Sequence, residues 1–85
     1  MSQYEKLLRA VMSGTKDKNI SFSDLRTVLE RLGFFFIFKG YNLIYTRDDV
    51  EEIINIQPSG TQAKPYQVKQ IRSIILQYRV GGDLI

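Results

Sequence analysis

Gly33-Phe34-Phe35-Phe36-Ile37-Phe38-Lys39-Gly40-Tyr41-Asn42-Leu43-Ile44-Tyr45-Thr46 is the stretch on which the fold turns. Its first half is dense in aromatic and β-branched side chains and is bounded by Gly33 and Gly40, which predicts a strand over Phe34–Phe38. Leu43–Thr46 reads as a second strand across a tight connection at Gly40-Tyr41-Asn42. A polar turn, Arg47-Asp48-Asp49, leads to a third run over about Val50–Ile56, and Pro58-Ser59-Gly60 is expected to end strand character. Connections this short force antiparallel neighbours, so the centre of the chain is a three-stranded meander.

Helices flank it. Tyr4, Leu7, Leu8, Val11 and Met12 recur at helical spacing, which predicts a helix over about 2–13 closed by Ser13-Gly14. Residues 14–19 read as a short polar connector. Ser21 is a good N-cap, Asp24 follows three residues later, and Leu25, Val28, Leu29 and Leu32 make one apolar stripe stopped by Gly33. The last helix is expected to start at Lys64-Pro65, to bury Val68, Ile71, Ile74, Ile75 and Tyr78, and to end at Gly81-Gly82. The expected order is α-α-β-β-β-α: a single α+β domain over residues 1–85, two layers, with the helices on one face of the sheet.

Composition limits the chemistry. The 85 residues carry 44% apolar and 25% charged side chains, as a small globular domain does. There is no cysteine and no histidine. Disulfides, zinc sites built on Cys or His, and Ser-His-Asp or Cys-His nucleophiles are therefore excluded. Acid/base work would need a strongly shifted Asp, Glu, Lys or Tyr. Asp48-Asp49 and Glu51-Glu52 do not converge as a metal cage requires, because the first pair suits a turn and the second alternates faces. No cofactor or metal is expected. No apolar run approaches the roughly 20 residues of a membrane span and no signal-peptide pattern opens the chain, so a soluble cytoplasmic protein without a membrane partner is expected.

Five consecutive apolar residues cannot all face the helices, so either Phe35 and Ile37 or the set Phe34, Phe36 and Phe38 points outward. Such a set suits a protein interface, including a homodimer, or the stacking of unpaired RNA bases. The net charge of +3 permits an anionic partner without demanding one. Lys69, Arg72 and Arg79 share a flank of the last helix, Lys64 sits at its start, and Lys39 and Arg47 lie at either end of the second strand. Brought together, they form a positive rim for phosphates; kept apart, they are solvated helix-face and snorkelling side chains.

Leu32-Gly33-Phe34, the strand into Lys39-Gly40, the hairpin with Ile44-Tyr45, the run Val50–Pro58 and the segment Ala63–Gln70 together resemble the HicA-type toxins of bacterial toxin–antitoxin systems. The resemblance covers nearly the whole chain. It implies a double-stranded-RNA-binding-like fold, cleavage of mRNA, and neutralisation by a HicB-type antitoxin. In that family the hairpin carries Gly-Ser-His, often with a second His, and the first His is catalytic. Here the place reads Gly40-Tyr41-Asn42-Leu43, so Asn42 holds the catalytic position. An amide hydrogen-bonds RNA but does not shuttle a proton. The resemblance therefore implies an RNA-binding protein with lost or weak ribonuclease activity at Gly40 and Asn42, to which the cations Lys39, Arg47, Lys64, Lys69 and Arg72 are expected to add RNA contacts. The alternatives are an active interferase using Tyr41, Tyr45 or Lys39, and a pure interaction module for an antitoxin-like partner.

Overall fold

A computed structural model describes residues 2–80 of the chain. Helix α1 (Gln3–Ser13) opens on Ser2, whose side chain accepts from the Glu5 amide, and closes on Gly14 at φ +74°, a left-handed cap that glycine adopts without strain. Helix α2 (Phe22–Arg31) opens on Ser21, whose Oγ accepts from the Asp24 amide at 3.0 Å. Strands β1 (Phe35–Lys39), β2 (Asn42–Arg47) and β3 (Val50–Ile56) form the antiparallel meander in the order β1-β2-β3. The molecule is α+β, with a three-stranded antiparallel sheet and three helices.

Three expectations need correction. Strand character does not end at Pro58-Ser59-Gly60: β4 (Pro58–Ser59) and β5 (Gln62–Ala63) pair as a small hairpin around Gly60 at φ +64°. Pro58 is tolerated because it opens a two-residue strand, where a missing N–H breaks no ladder. Bonds from the Phe22 amide to the Thr61 carbonyl and from the Ala63 amide to the Ile20 carbonyl, both 2.9 Å, sew this hairpin to the start of α2. The polar connector contains one 3-10 turn, Asp17–Asn19, and Asp17 within it is buried. Finally, α3 (Pro65–Tyr78) stops at Arg79, which takes the left-handed conformation at φ 54°. The expected stop at Gly81-Gly82 lies outside the described residues.

The core forms where the apolar stripes meet the inner face of the sheet. Leu8 and Val11 of α1, Leu25, Val28 and Leu29 of α2, and Val68, Ile71, Ile74 and Ile75 of α3 are buried with Leu43, Tyr45, Ile54 and Ile56 of the strands. Alternation places Phe36, Phe38, Leu43, Tyr45, Ile54 and Ile56 toward the helices, and Phe35, Ile37, Ile44, Thr46 and Ile53 away from them. The parity question at Phe34–Phe38 thus has a split answer. Phe34 precedes the strand and is buried, whereas every residue of β1 is exposed, because the strand overhangs the helical layer.

One buried ion pair ties the connector to α3. Arg72 donates to both carboxylate oxygens of Asp17, at 2.9 and 3.2 Å, and to the Val11 carbonyl at 3.0 Å. These hydrogen bonds hold the Asp17 carboxyl below its usual range, against the opposing effect of burial. Folding therefore favours ionised Asp17, so its contribution is present above the unfolded value of about 3.9 and is lost as pH falls through the lower folded one. The melting temperature should drop as pH is lowered from about 5 toward 2, and Asp17→Asn, less stable at neutral pH, should lose much of that acid dependence. Parallel melting curves for the two proteins would contradict this. In the core, Leu29→Ala should cost about 2–5 kcal/mol in denaturant unfolding.

Candidate functional site

The tight connection Gly40-Tyr41, with Gly40 at φ +64°, turns β1 into β2 and sets Lys39 directly opposite Asn42. Asn42 lies on the sheet face away from the helices, in the same register row as Ile44 and Thr46. Its Oδ1 accepts a hydrogen bond from Gln57 Nε2, and Gln57 Oε1 accepts from Lys64 Nζ at 3.3 Å. Lys39, Asn42, Gln57 and Lys64 therefore form one polar row that runs from the first hairpin to the start of α3.

Gln57 enters this row because of an irregularity in the β2–β3 ladder. Counted from the turn, Arg47 opposes Val50, which would set Asn42 against Asn55. Between that pair and Tyr45–Ile54, β3 spends three residues where β2 spends one. The shift of two residues preserves face but carries Gln57 to Asn42. No residue in the string marks that bulge, so the role of Gln57 was illegible there.

Beside the row lies a cleft of about 220 Å³ lined by Asn55, Gln57, Tyr66 and Gln67. Gln67 is only 2% exposed. Its Nε2 donates to the Asn55 carbonyl at 3.2 Å, while its Oε1 is buried with no hydrogen-bond donor among the described residues. Gln67 sits in the first turn of α3, outside the apolar stripe expected to be buried there. Only packing against β3 buries it.

The cations expected to share a rim are divided by the fold. Lys39 and Lys64 flank Asn42, and Gly40 forms the turn beside it. Lys69 lies with Gly14, Asp17 and Pro65 around a separate cleft. Arg72 points inward to Asp17 and Val11. Arg47 has the helix-side parity of Tyr45 and bonds the Leu32 carbonyl at 2.8 Å and Asp49 at 2.8 Å. The two arginines brace the backbone and an acidic loop; the two lysines border the row.

Tyr45 cannot serve as a base in this site. It lies inside the core, its hydroxyl donating to Glu30 Oε2 at 2.7 Å and accepting from Arg26 Nε at 3.2 Å. Burial, then the Glu30 carboxylate, push its pKa up to about 12, the wrong direction for proton abstraction at neutral pH. Tyr41 at the turn is almost fully exposed. Among the described residues no three Asp or Glu side chains gather as a metal ligand set, and no helix is long and apolar enough to cross a membrane.

No family model, curated protein or solved structure matches this chain.

The Tyr45 network makes a checkable claim about pH. The hydroxyl is held protonated, so its contribution is complete below the unfolded value of about 10 and is lost as pH rises toward the folded one. In an ultraviolet phenolate titration, Tyr45→Phe should remove the last tyrosine transition, near pH 12, and should cost about 1–2 kcal/mol of stability at neutral pH. An unchanged high-pH limb would contradict the assignment.

Proposed function

We propose that this chain is a HicA-like RNA-binding protein with a double-stranded-RNA-binding-like fold, whose ribonuclease activity is lost or weak. The observation that supports it most directly is the row Lys39–Asn42–Gln57–Lys64 on the open sheet face, at the hairpin where the family resemblance sets its catalytic histidine. Two lysines there suit phosphates, and the carboxamides of Asn42 and Gln57 suit base edges or ribose hydroxyls. Phe35 and Ile37 extend the same face with apolar surface on which an unpaired base can stack.

Binding and cleavage separate at Asn42. Metal-independent cleavage needs the 2′-hydroxyl deprotonated and the leaving oxygen protonated, which positioned acid/base groups accelerate by about 10²–10⁴-fold. Asparagine does neither at neutral pH, the chain has no imidazole, and Tyr45 is committed to Glu30. The substrate is held and left intact. A HicB-type antitoxin belongs to the same reading as the protein partner.

Fluorescence anisotropy with single-stranded and hairpin RNA should give an affinity that falls with salt. Lys39→Ala and Lys64→Ala should each reduce the log–log slope by about 0.7 and weaken binding to all sequences alike. In chelator-containing buffer the wild-type protein should leave RNA intact, and Asn42→His should introduce cleavage that Asn42→Gln does not. Absence of salt-dependent RNA binding would overturn the binding claim, and efficient cleavage by the wild type would overturn the loss of activity.

A further inference from the structure

We propose that β1 is the edge at which a second copy of this chain joins, antiparallel, to make one continuous six-stranded sheet. The two edges of the sheet differ sharply. Along β3, Glu51 and Glu52 place charges on the edge strand, and Gln67 of α3 bonds the Asn55 carbonyl. Along β1 no proline, bulge or internal charge blunts the edge, and Lys39 stands only at its end. Every side chain of the strand is open to solvent: Phe35 by 71%, Phe36 by 39%, Ile37 by 62% and Phe38 by 69%.

The occupant is a second copy because the strand complements itself. Two-fold antiparallel pairing centred on Ile37 sets Phe36 against Phe38 of the second copy and Phe35 against Lys39 of the second copy. On the helix side, two Phe36–Phe38 pairs cover the aromatic rings that overhang the core. Within one chain those rings already meet edge to face at 5.8 Å. On the open side Ile37 meets its symmetry mate, and each Lys39 lies beside an aromatic ring rather than another cation. No like charges face each other in this register. A shift by one residue would turn the apolar rows to opposite faces.

The area bounds the contact. The exposed portions of these four side chains amount to roughly 400–500 Å² per copy, so even complete coverage buries only about 900 Å² in all. That falls below the roughly 1,200 Å² of standard stable interfaces, so a weak, concentration-dependent association is expected.

Sedimentation velocity over about 5–500 µM should show a monomer–dimer equilibrium that Ile37→Lys abolishes while its circular dichroism and melting temperature stay those of the wild type. Ile37→Val should retain it. Because the chain has no cysteine, Ile37→Cys offers a second readout: mild oxidation should trap a disulfide-linked dimer, since directly opposed residues of an antiparallel pair lie within disulfide range. Leu76→Cys, exposed on α3, should cross-link at least about tenfold more slowly, as random collision allows. Salt should strengthen this association of two copies each carrying +3 while weakening RNA binding, so failure of either claim is seen separately. A wild-type chain that stays monomeric to about 500 µM, or Ile37→Cys cross-linking no faster than Leu76→Cys, overturns the proposal. A monomer that takes up an extended peptide of another protein along β1 overturns the second copy as occupant as well.

Discussion

The Arg72 guanidinium ties together three pieces of chain that also meet in the core. It bonds the carboxylate of Asp17 in the connector, the Val11 carbonyl near the end of α1, and through its own backbone belongs to α3. Its planar fork suits this bidentate task, which lysine would not perform. Fastening the connector there sets the positions of Ile20 and Ser21. Those residues receive the β4–β5 hairpin and start α2. The hairpin in turn delivers Lys64 to the head of α3, where its ammonium reaches Gln57. The polar row beside Asn42 is thus linked, contact by contact, to an ion pair on a different part of the molecule.

A second constraint acts between the sheet and α2. Tyr45 passes through the core to Glu30 and Arg26, Arg26 also lies 5.3 Å above the Phe36 ring, and Arg47 braces the end of α2 through Leu32. These contacts hold β2 against the helices and leave its other parity free. Arg26, Arg47 and Arg72 are all used internally, each at a carbonyl or carboxylate. The polar row is bordered by lysines instead, whose flexible, strongly hydrated ammonium groups suit a surface that meets varied phosphates.

The domain has an asymmetric sheet. One face is packed, one edge is protected by charge and by α3, and the remaining face and edge carry Phe35, Ile37 and Ile53 without cover. Small monomeric domains seldom leave that much apolar surface in one place. Strand pairing at the β1 edge and ligand contact on the open face both draw on Phe35, Ile37 and Lys39, the first through main-chain groups as well.

How much was legible beforehand depends on the range of the interaction concerned. Helix limits at Gly14, Ser21 and Gly33, and the antiparallel meander with its two tight turns, follow from caps, glycines and side-chain spacing within a few residues of chain. The absence of imidazole and thiol chemistry follows from composition alone. Other outcomes required the whole fold. The strand Phe34–Phe38 is apolar on both sides, so alternation could not say that Phe34 would be buried and Phe38 would hang past the helices. A guanidinium at position 72 looks the same in the string whether it meets Asp17 or phosphate. The two-residue shift in β3 that brings Gln57 to Asn42, and the burial of Gln67 against Asn55, arise from packing between distant segments. Local spacing specifies which elements form; long-range contacts decide which side chains are consumed in holding them together and which are left to act.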